Sequence, residues 1–534
     1  MNFICFDTED DSRELMIAGE SGFDKRVTQI AAITGYGREF YNKGNAKDFL
    51  RWICKQPETT IYAHNLQYDL GNLFGDELDS LDCVLVGGRL IRARWNKKTF
   101  VDSFNIWPMS AAKLGSAFGL EKKEFDSESR DYVFRDVEII RAAMLFAWEF
   151  CEQNGIPNCP ATLGSLCVKL WKQWGGENSH DSTKLCREGY YGGRVELFKK
   201  RNETNRIAYT DINSLYPAMM LEKFPVTLEA QPTAKEFPAY GMARVKIKIP
   251  KMPICPLPFR DETGRIFYGF GEITGVWTLA EISAALKRGC EIQKVFEVIG
   301  TNDFEIPYSD FVKKTYAKRL SAANPAEKMF FKLLMNNLYG RIGTGGKISR
   351  TIHQTEKNQD AGVCYGSRVL VEYNMPLEEH VNWCHAAYVT SYGRIRLMEF
   401  MEKIGAENLI YCDTDSTIFD CAGEIPFPIS DKLGEMKLES WETDCETYSP
   451  KMYRTGEKFK AKGVPVRLAK TFIQTGAAQF DLPFRMRESI NFFDRENARK
   501  LSVWRKVSKE IRGKYDRKKL SKNRYSPCDI SGIG

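Results

Sequence analysis

The chain has 534 residues, 43% hydrophobic and 28% charged, with 77 Lys+Arg against 70 Asp+Glu. That length suits two to four domains of ordinary globular composition and excludes wholesale disorder. No run approaches the ~20 apolar residues of a membrane span, so no membrane partner is expected; MNFICFDTEDD turns acidic too early for a signal or transit peptide. Fifteen cysteines without a CxxC predict reduced thiols in a cytoplasmic protein, and five unpaired histidines argue against zinc.

In chain order, the first element is a strand at Asn2–Phe6. Alternation puts Phe3, Cys5, Asp7 and Glu9 on one side, with the two acids projecting from the strand end. Acid-x-acid triplets are common, and most are solvated strand ends. Close carboxylates repel unless a divalent cation separates them. Strands follow at Val27–Thr34 and Thr60–Ala63, the second running through YAHNLQYDL into a helix that carries Asp69. A helix at Arg130–Glu152 sets Tyr132 and Asp136 on one face at i and i+4. Four acids on three elements could bind two Mg²⁺ and activate a water, with Tyr132 orienting it. The polar segment WKQWGGENSHDSTK places a domain boundary near 170–185.

A strand at Arg206–Tyr209 leads into YTDINSLYP and Asp211. A helix at Pro325–Asn337 lines up Lys328, Lys332, Asn336 and Tyr339 or Gly340 on one face, with Met329, Leu333 and Leu334 on the buried side. A lysine-rich face is usually solvated; one that ends in Asn, Tyr and Gly suits a nucleoside triphosphate better. After a helix at Ala386–Met401, NLIYCDTDSTIFD reads as a hairpin with Asp413 and Asp415 exposed at its tip. From Arg485 to Tyr525 there are 15 Lys+Arg against 5 Asp+Glu, spaced with Ile490, Phe493, Leu501, Trp504 and Ile511 as helices with one basic face. Such a face is either solvated or a phosphate-backbone contact. Short strands mixed with long helices give an α+β or α/β multidomain fold.

The motifs DTE (Asp7, Glu9), NLQYD (Asn65, Asp69) and YVFRD (Tyr132, Asp136) resemble those of the 3′–5′ exonuclease domain of proofreading DNA polymerases. The resemblance implies a ribonuclease-H-like domain over 1–178. It gives Tyr62, His64, Asn65 and Tyr68 contacts with a single-stranded 3′ end, and aromatic stacking is a sequence-tolerant way to hold one. Ser103 and Phe104 in VDSFNIW resemble a further strand-binding motif, with Phe in place of the usual Leu, and Lys122 in KKEF resembles a catalytic lysine.

DINSLYP, KLLMNNLYG and YCDTDS resemble motifs A, B and C of family B DNA polymerases, in order. YYGGR (Tyr190, Gly192, Gly193) resembles the YxGG motif that joins exonuclease to polymerase, and KMY (Lys451, Tyr453) the KxY motif that grips primer and template. Compactness and spacing resemble the protein-primed subgroup of phages and linear plasmids; Asn337 departs from it, since Ser usually follows the motif B Asn. The resemblance implies a right-hand polymerase domain over 179–534. Within it, insertions are expected at about 225–305 and 345–377, fingers at 306–340 and a thumb at 485–534. Asp211 and Asp415 would hold two Mg²⁺ (or Mn²⁺) per site, with Asp413 as second ligand or outer support. Tyr216 would exclude a 2′-hydroxyl; Lys332, Lys318 and Lys328 would neutralise the triphosphate; Asn336 and Tyr339 would line the base pair. Gly192 and Gly193 would admit the template backbone closely. The implied partners are template-primer DNA, dNTPs, a terminal protein primer and a single-stranded DNA-binding protein, met by a monomer in the host cytoplasm. Competing readings are a primer-independent polymerase of the same family, or a repair nuclease on an inactive polymerase scaffold.

Overall fold

The structure, a computed structural model, describes residues 2–531 apart from 18–19, 87–88, 125, 127–128, 180–181, 232–235, 346, 354–360, 366–367, 375, 465–467, 469–470, 472–476, 483–503, 506 and 513–514.

The N-terminal part is built on strand Phe3–Ile17, which pairs antiparallel with Glu20–Thr34 and parallel with Thr60–Ala63, itself parallel to Lys98–Asp102. Both faces of this sheet are covered, which is why FICF is apolar at every position. Phe3, Cys5, Ala31, Ile33 and Tyr62 face helix Arg130–Gln153 in one core. Ile4, Phe6, Ile30, Ala32 and Ile61 pack in a second core with Phe49 and Ile53 of helix Ala46–Lys55 and Leu66 and Leu70 of helix Leu66–Phe74. The first strand runs on to Ile17, so Asp7 and Glu9 stand in mid-strand rather than at its end.

The sheet expected as the palm of the right-hand domain has seven strands, in the order Lys458–Ala461, Met452–Thr455, Met436–Ser449, Arg201–Ile212, Ser416–Asp420, Leu409–Asp413, Val195–Leu197. Every pairing in it is antiparallel. Helix Trp383–Ile404 lies against it. Helices Ser309–Leu320 and Pro325–Ile342 form a hairpin, the second started by an Asn324 cap and Pro325 in its first turn. Its buried side is Phe330, Phe331, Leu334, Met335 and Leu338. Met329 and Leu333, expected there, are only half-buried; the helix packs chiefly on helices Ser309–Leu320 and Leu163–Gln173. The chain link near 170–185 is not a break in packing: Cys167 Sγ donates to Leu334 O at 3.2 Å, and Trp107 packs on Phe330 with ring centroids 5.2 Å apart.

Between the palm strands lies a four-stranded antiparallel sheet, Glu229–Ala230, Glu291–Thr301, Tyr240–Ile249 and Gly271–Thr278, with helix Leu279–Leu286 and its own core around Val245, Ile273 and Trp277. The hairpin Lys347–His353/Arg368–Asn374 is not folded back on the palm. It pairs with Asp82–Val86 and extends the N-terminal sheet at one edge (Ser349 to Leu85, Arg350 to Val84). Thr351 Oγ1 accepts from Cys83 N at 2.7 Å, and Arg368 Nε donates to Asp79 O at 2.8 Å.

The expectation of basic helices in the tail is overturned where the tail is described. Trp504–Arg505 pairs with Gly22–Phe23, Val507–Arg512 with Ala477–Leu482, and Lys518–Ser521 with Arg524–Pro527, all as strands. Trp504 and Ile511 thus lie in β structure; Ile490, Phe493 and Leu501 lie outside the described residues. The run VSKEIR also alternates with period two and carries β-branched residues, and a distant partner strand decides between the two periods.

Candidate active sites

Two sets of acids stand on two different sheets. In the first, carboxylate oxygens of Asp7, Glu9 and Asp136 lie within 4.8 Å of one another. The strand supplies two of them from one face, and helix Arg130–Gln153, packed on that face, supplies the third. Asp69 is 1% exposed and accepts from Thr8 N (3.1 Å) and Thr8 Oγ1 (2.8 Å); Asn72 Nδ2 in turn donates to Thr8 Oγ1 at 2.9 Å. Lys122 Nζ reaches Asp136 Oδ2 at 2.5 Å and lies 5.3 Å from the centre of the Tyr132 ring. Burial, then Asp69, Asp136 and Glu9, push the Asp7 carboxyl well above its ordinary range, while burial and then Asp136 push Glu9 up to about 7. Asp136 Oδ1 is buried without a hydrogen-bond partner among the described residues. Hard oxygen donors, mutual repulsion and an orphaned carboxylate oxygen fit a divalent cation such as Mg²⁺.

The residues expected to meet a single strand divide. Asn65 is exposed at φ 72°, its N–H donating to Asp102 Oδ1 at 3.0 Å; Tyr68 and Phe104 are half-buried, with the Phe104 ring 5.4 Å from that of His64 and the Arg89 guanidinium 5.0 Å from it. His64 is held by Ser103 Oγ (3.0 Å) and Met109 O (2.7 Å). Ser103 is buried and donates to Ala63 O, so it fastens His64 and does not itself face a ligand. Tyr62 is a correction: it is fully buried against Phe3, its hydroxyl accepting from Trp148 Nε1, because residue 62 falls on the core face of its strand.

The second set stands where three palm strands meet. Asp211 stands next to the end of its strand, opposite Ser416, and Ile212 N donates to Asp415 O at 2.7 Å. Asp413, Thr414 (φ 62°) and Asp415 make the expected turn, but all three are half-buried rather than exposed: they line a cavity of about 570 Å³ together with Lys451, Tyr453 and Lys460. Burial and then Asp415 raise Asp211 to about 7; burial, with a smaller push from Asp413, raises Asp415 to about 6. Asp413 accepts from Lys451 Nζ (2.8 Å), Thr414 Oγ1 (3.0 Å) and Tyr411 OH (3.3 Å), which sets it apart from the other two acids. Tyr453 is largely buried on Tyr411, ring centroids 4.9 Å apart, with its hydroxyl toward Tyr209. Asp211 and Asp415 offer the same hard, mutually repelling donors and fit the same cation.

Three tyrosines converge beside these acids. The Tyr216 ring is 4.6 Å from that of Tyr339, and Tyr339 OH shares a 2.6 Å hydrogen bond with Tyr190 OH. Gly193 is required here: a Cβ would come within 2.8 Å of Tyr216 OH and 2.7 Å of Thr414 Oγ1. A Cβ on Gly192 would meet nothing within 4 Å, which leaves that side open. Lys328, Lys332 and Asn336 share one exposed face of helix Pro325–Ile342, and Lys332 is near enough to oppose the upward shifts of Asp211 and Asp415. Lys318 is exposed on the neighbouring helix, 5.8 Å from the Phe331 ring centre, and Asn337 Nδ2 donates to Leu333 O. Missed by the sequence reading were Arg319, which donates to Ser214 Oγ at 3.2 Å, and Arg394. Arg394, fully buried, pairs bidentately with Glu281 (2.7 and 2.8 Å) and donates to the carbonyls of Tyr191 and Gly192. An arginine inside the apolar run WCHAAYVTSYGRIRLMEF was the available signal.

The family of type B DNA polymerases, organellar and viral, matches residues 121–363. The chain is thus similar in sequence to these polymerases and shares the fold of a phage member. Among curated relatives, a probable DNA polymerase of Ascobolus immersus is 26% identical over 58% of this chain, and the DNA polymerase of Bacillus phage phi29 is 23% identical over 75% of this chain and 78% of its own length. The DNA-directed DNA polymerase of Enterobacteria phage PRD1 is 23% identical over 79% of this chain and 77% of its own length. This chain spans 26% of the Ascobolus relative and 32% of a similar one from Neurospora intermedia. The crystal structure of phi29 DNA polymerase shares the fold, with a TM-score of 0.74 at 15% identity, over 96% of this chain and all of the other.

Proposed function

We propose that this chain is a DNA-dependent DNA polymerase with a 3′–5′ proofreading exonuclease, and that it starts new strands on a protein primer. The observation that carries the reading is the pair of carboxylate sets on separate sheets, one of them faced by tyrosines and a lysine helix. The phi29 enzyme has been solved with primer-template DNA and incoming nucleotides, which supports the same ligands here.

Residues 179–534 then serve as palm, fingers and thumb, and residues 1–178 as the exonuclease domain. Asp211 and Asp415 would hold Mg²⁺ or Mn²⁺ for nucleotidyl transfer, with Asp413 supporting them, and Asp7, Glu9, Asp69 and Asp136 would hold it for hydrolysis. Two such ions per site, when bound, activate the attacking oxygen and stabilise the leaving one. Lys332, with Lys328 and Lys318, attracts the triphosphate; Tyr216 packs beneath the sugar, while Tyr339 and Asn336 border the base pair. Tyr132 orients the attacking water in the exonuclease site, and Lys122 holds Asp136. Asn65, His64, Tyr68 and Phe104 border a path for the frayed 3′ end. Terminal protein and single-stranded DNA-binding protein are the expected partners, during processive, strand-displacing replication of a small phage or mobile-element genome in a host cytoplasm.

The test uses a 5′-labelled primer-template with Mg²⁺. Extension with dNTPs and shortening without them are expected from one preparation. A chain that shortens DNA but never extends it would instead be a repair nuclease. Offering single-stranded template without primer, with and without the terminal protein, separates protein priming from unassisted initiation.

A further inference from the structure

Three charged side chains lie buried together beneath the Asp413–Thr414–Asp415 turn. Arg194, Glu196 and Lys518 are 1%, 2% and 4% exposed. The first two sit at strand Val195–Leu197; the third comes from the hairpin Lys518–Ser521/Arg524–Pro527, more than 300 residues along the chain. Arg194 Nε donates to Glu196 Oε2 at 2.5 Å, and Lys518 Nζ is 2.9 Å from Glu196 Oε1. The excess positive charge meets two rings: Arg194 lies 4.2 Å over Tyr268, and Lys518 3.6 Å over Phe198. Burial alone would raise the Glu196 carboxyl, but the two cations outweigh it and hold it below the ordinary range.

The strand that carries this cluster is the one on which the turn rests. Cys412 pairs with Glu196 and Asp413 with Val195, and Arg194 O accepts from Thr414 N at 2.7 Å. The hairpin is fastened to the same region. Lys200 N donates to Asn523 O, Arg201 N to Asn523 Oδ1 at 2.8 Å, and Tyr525 N to Phe198 O. Just beyond it, Phe270 of the first insertion exchanges backbone hydrogen bonds with Cys528 and Ile530. None of these groups belongs to either carboxylate set. A buried ion pair adds little net stability over apolar residues of similar volume, whereas its geometry is demanding.

We propose that Lys518 is a positioning residue for the polymerase site: through Glu196 it fixes the strand on which the Asp413–Thr414–Asp415 turn rests, so that nucleotide incorporation depends on the 518–527 hairpin. The inference rests on the polymerase reading above. Its test compares the full chain with Lys518→Met, which keeps the length of the stem and removes the charge, and with Lys518→Arg. Single-turnover incorporation on primer-template DNA should fall by about tenfold or more in Lys518→Met, since ångström displacements at a reacting centre cost that much. The Mg²⁺ needed for half-maximal rate should rise, half-saturation by dNTP should change little, and Lys518→Arg should recover most of the rate. Trimming of 3′ ends, performed on another sheet, should stay at the parental level. Parental incorporation by a folded Lys518→Met chain overturns the inference, as does an equal loss of trimming. If Lys518→Met does not fold, Asn523→Ala probes the same attachment from the exposed side, and there too selective loss is expected and parental incorporation overturns. A parent that trims DNA but incorporates nothing overturns the polymerase reading, and this inference with it.

Discussion

Lys451 Nζ stands 2.8 Å from Asp413 Oδ1, just as Lys122 Nζ stands 2.5 Å from Asp136 Oδ2 in the other carboxylate set. In each site one acid is tied to a lysine while its neighbours are left to repel one another. At Asp413 this separates support from coordination, whereas Asp136 keeps Oδ1 without a hydrogen-bond partner among the described residues and stays in the ligand set. The arrangement also makes the two sites separable by mutation.

Asp211→Ala or Asp415→Ala should therefore lower dNTP incorporation by about a hundredfold or more while single-strand trimming persists, because loss of transition-state charge stabilisation costs several kcal/mol. Primer extension and trimming by the same preparation check it. Near-parental extension by either variant would remove these two acids from the reaction.

The double change Asp7→Ala with Glu9→Ala should do the reverse. Extension remains, 5′-labelled single strands are no longer shortened in Mg²⁺, and mismatched ends are kept more often. A double mutant that still trims would leave the N-terminal acids without a catalytic part.

Tyr216 is wedged between Tyr339 and the backbone at Gly193. Its ring cannot step aside for a 2′-hydroxyl, so Tyr216→Val should raise ribonucleotide use relative to deoxyribonucleotide by about tenfold or more, a difference of about 1.4 kcal/mol. The ratio of the two specificity constants, kcat/KM, is the measurement. An unchanged ratio means that another side chain selects the sugar.

The raised carboxyls make a pH prediction. Glu9 and Asp211 (each about 7) and Asp415 (about 6) lie above their ordinary values, so their protons favour the fold. That contribution is fully present below about pH 4 and is lost as pH rises through 6 to 7. Mg²⁺ competes with those protons. Its addition should raise Tm little at pH 5 and clearly more at pH 8. Equal shifts at both pH values would show that the ion binds elsewhere.

Replacing residues 347–374 by a short Gly-Ser linker should preserve single-nucleotide addition. Products on primed circular DNA with excess trap should become short, and displacement of a downstream strand should fail. Full-length products under trap would assign processivity to another part of the chain.

The acids were legible in sequence because strand and helix periodicity are local: Asp7, Glu9, Tyr132 and Asp136 reach one point by alternation and by i, i+4 spacing. The helix face of Lys328, Lys332 and Asn336 was legible for the same reason. Tyr62 was misplaced because its motif names an aromatic without saying which face of the strand it occupies. The tail was misread because VSKEIR fits two periods and only its distant partner Ala477–Leu482 selects one. Arg394 with Glu281 and Lys518 with Glu196 were invisible, since each joins residues far apart in sequence that share no spacing rule.

The docking of hairpin Lys347–His353/Arg368–Asn374 on Asp82–Val86 has a consequence during synthesis. Cys83 and its partner Thr351 are 268 residues apart. At about 5–20 residues per second, a ribosome needs roughly 15 to 50 seconds to cover that stretch. Throughout that interval the nascent N-terminal sheet exposes an unpaired edge, the kind of surface on which chains join one another. Yield should accordingly respond to translation speed and to holding chaperones more than the stability of the finished protein would suggest, and residues 1–178 expressed alone should aggregate.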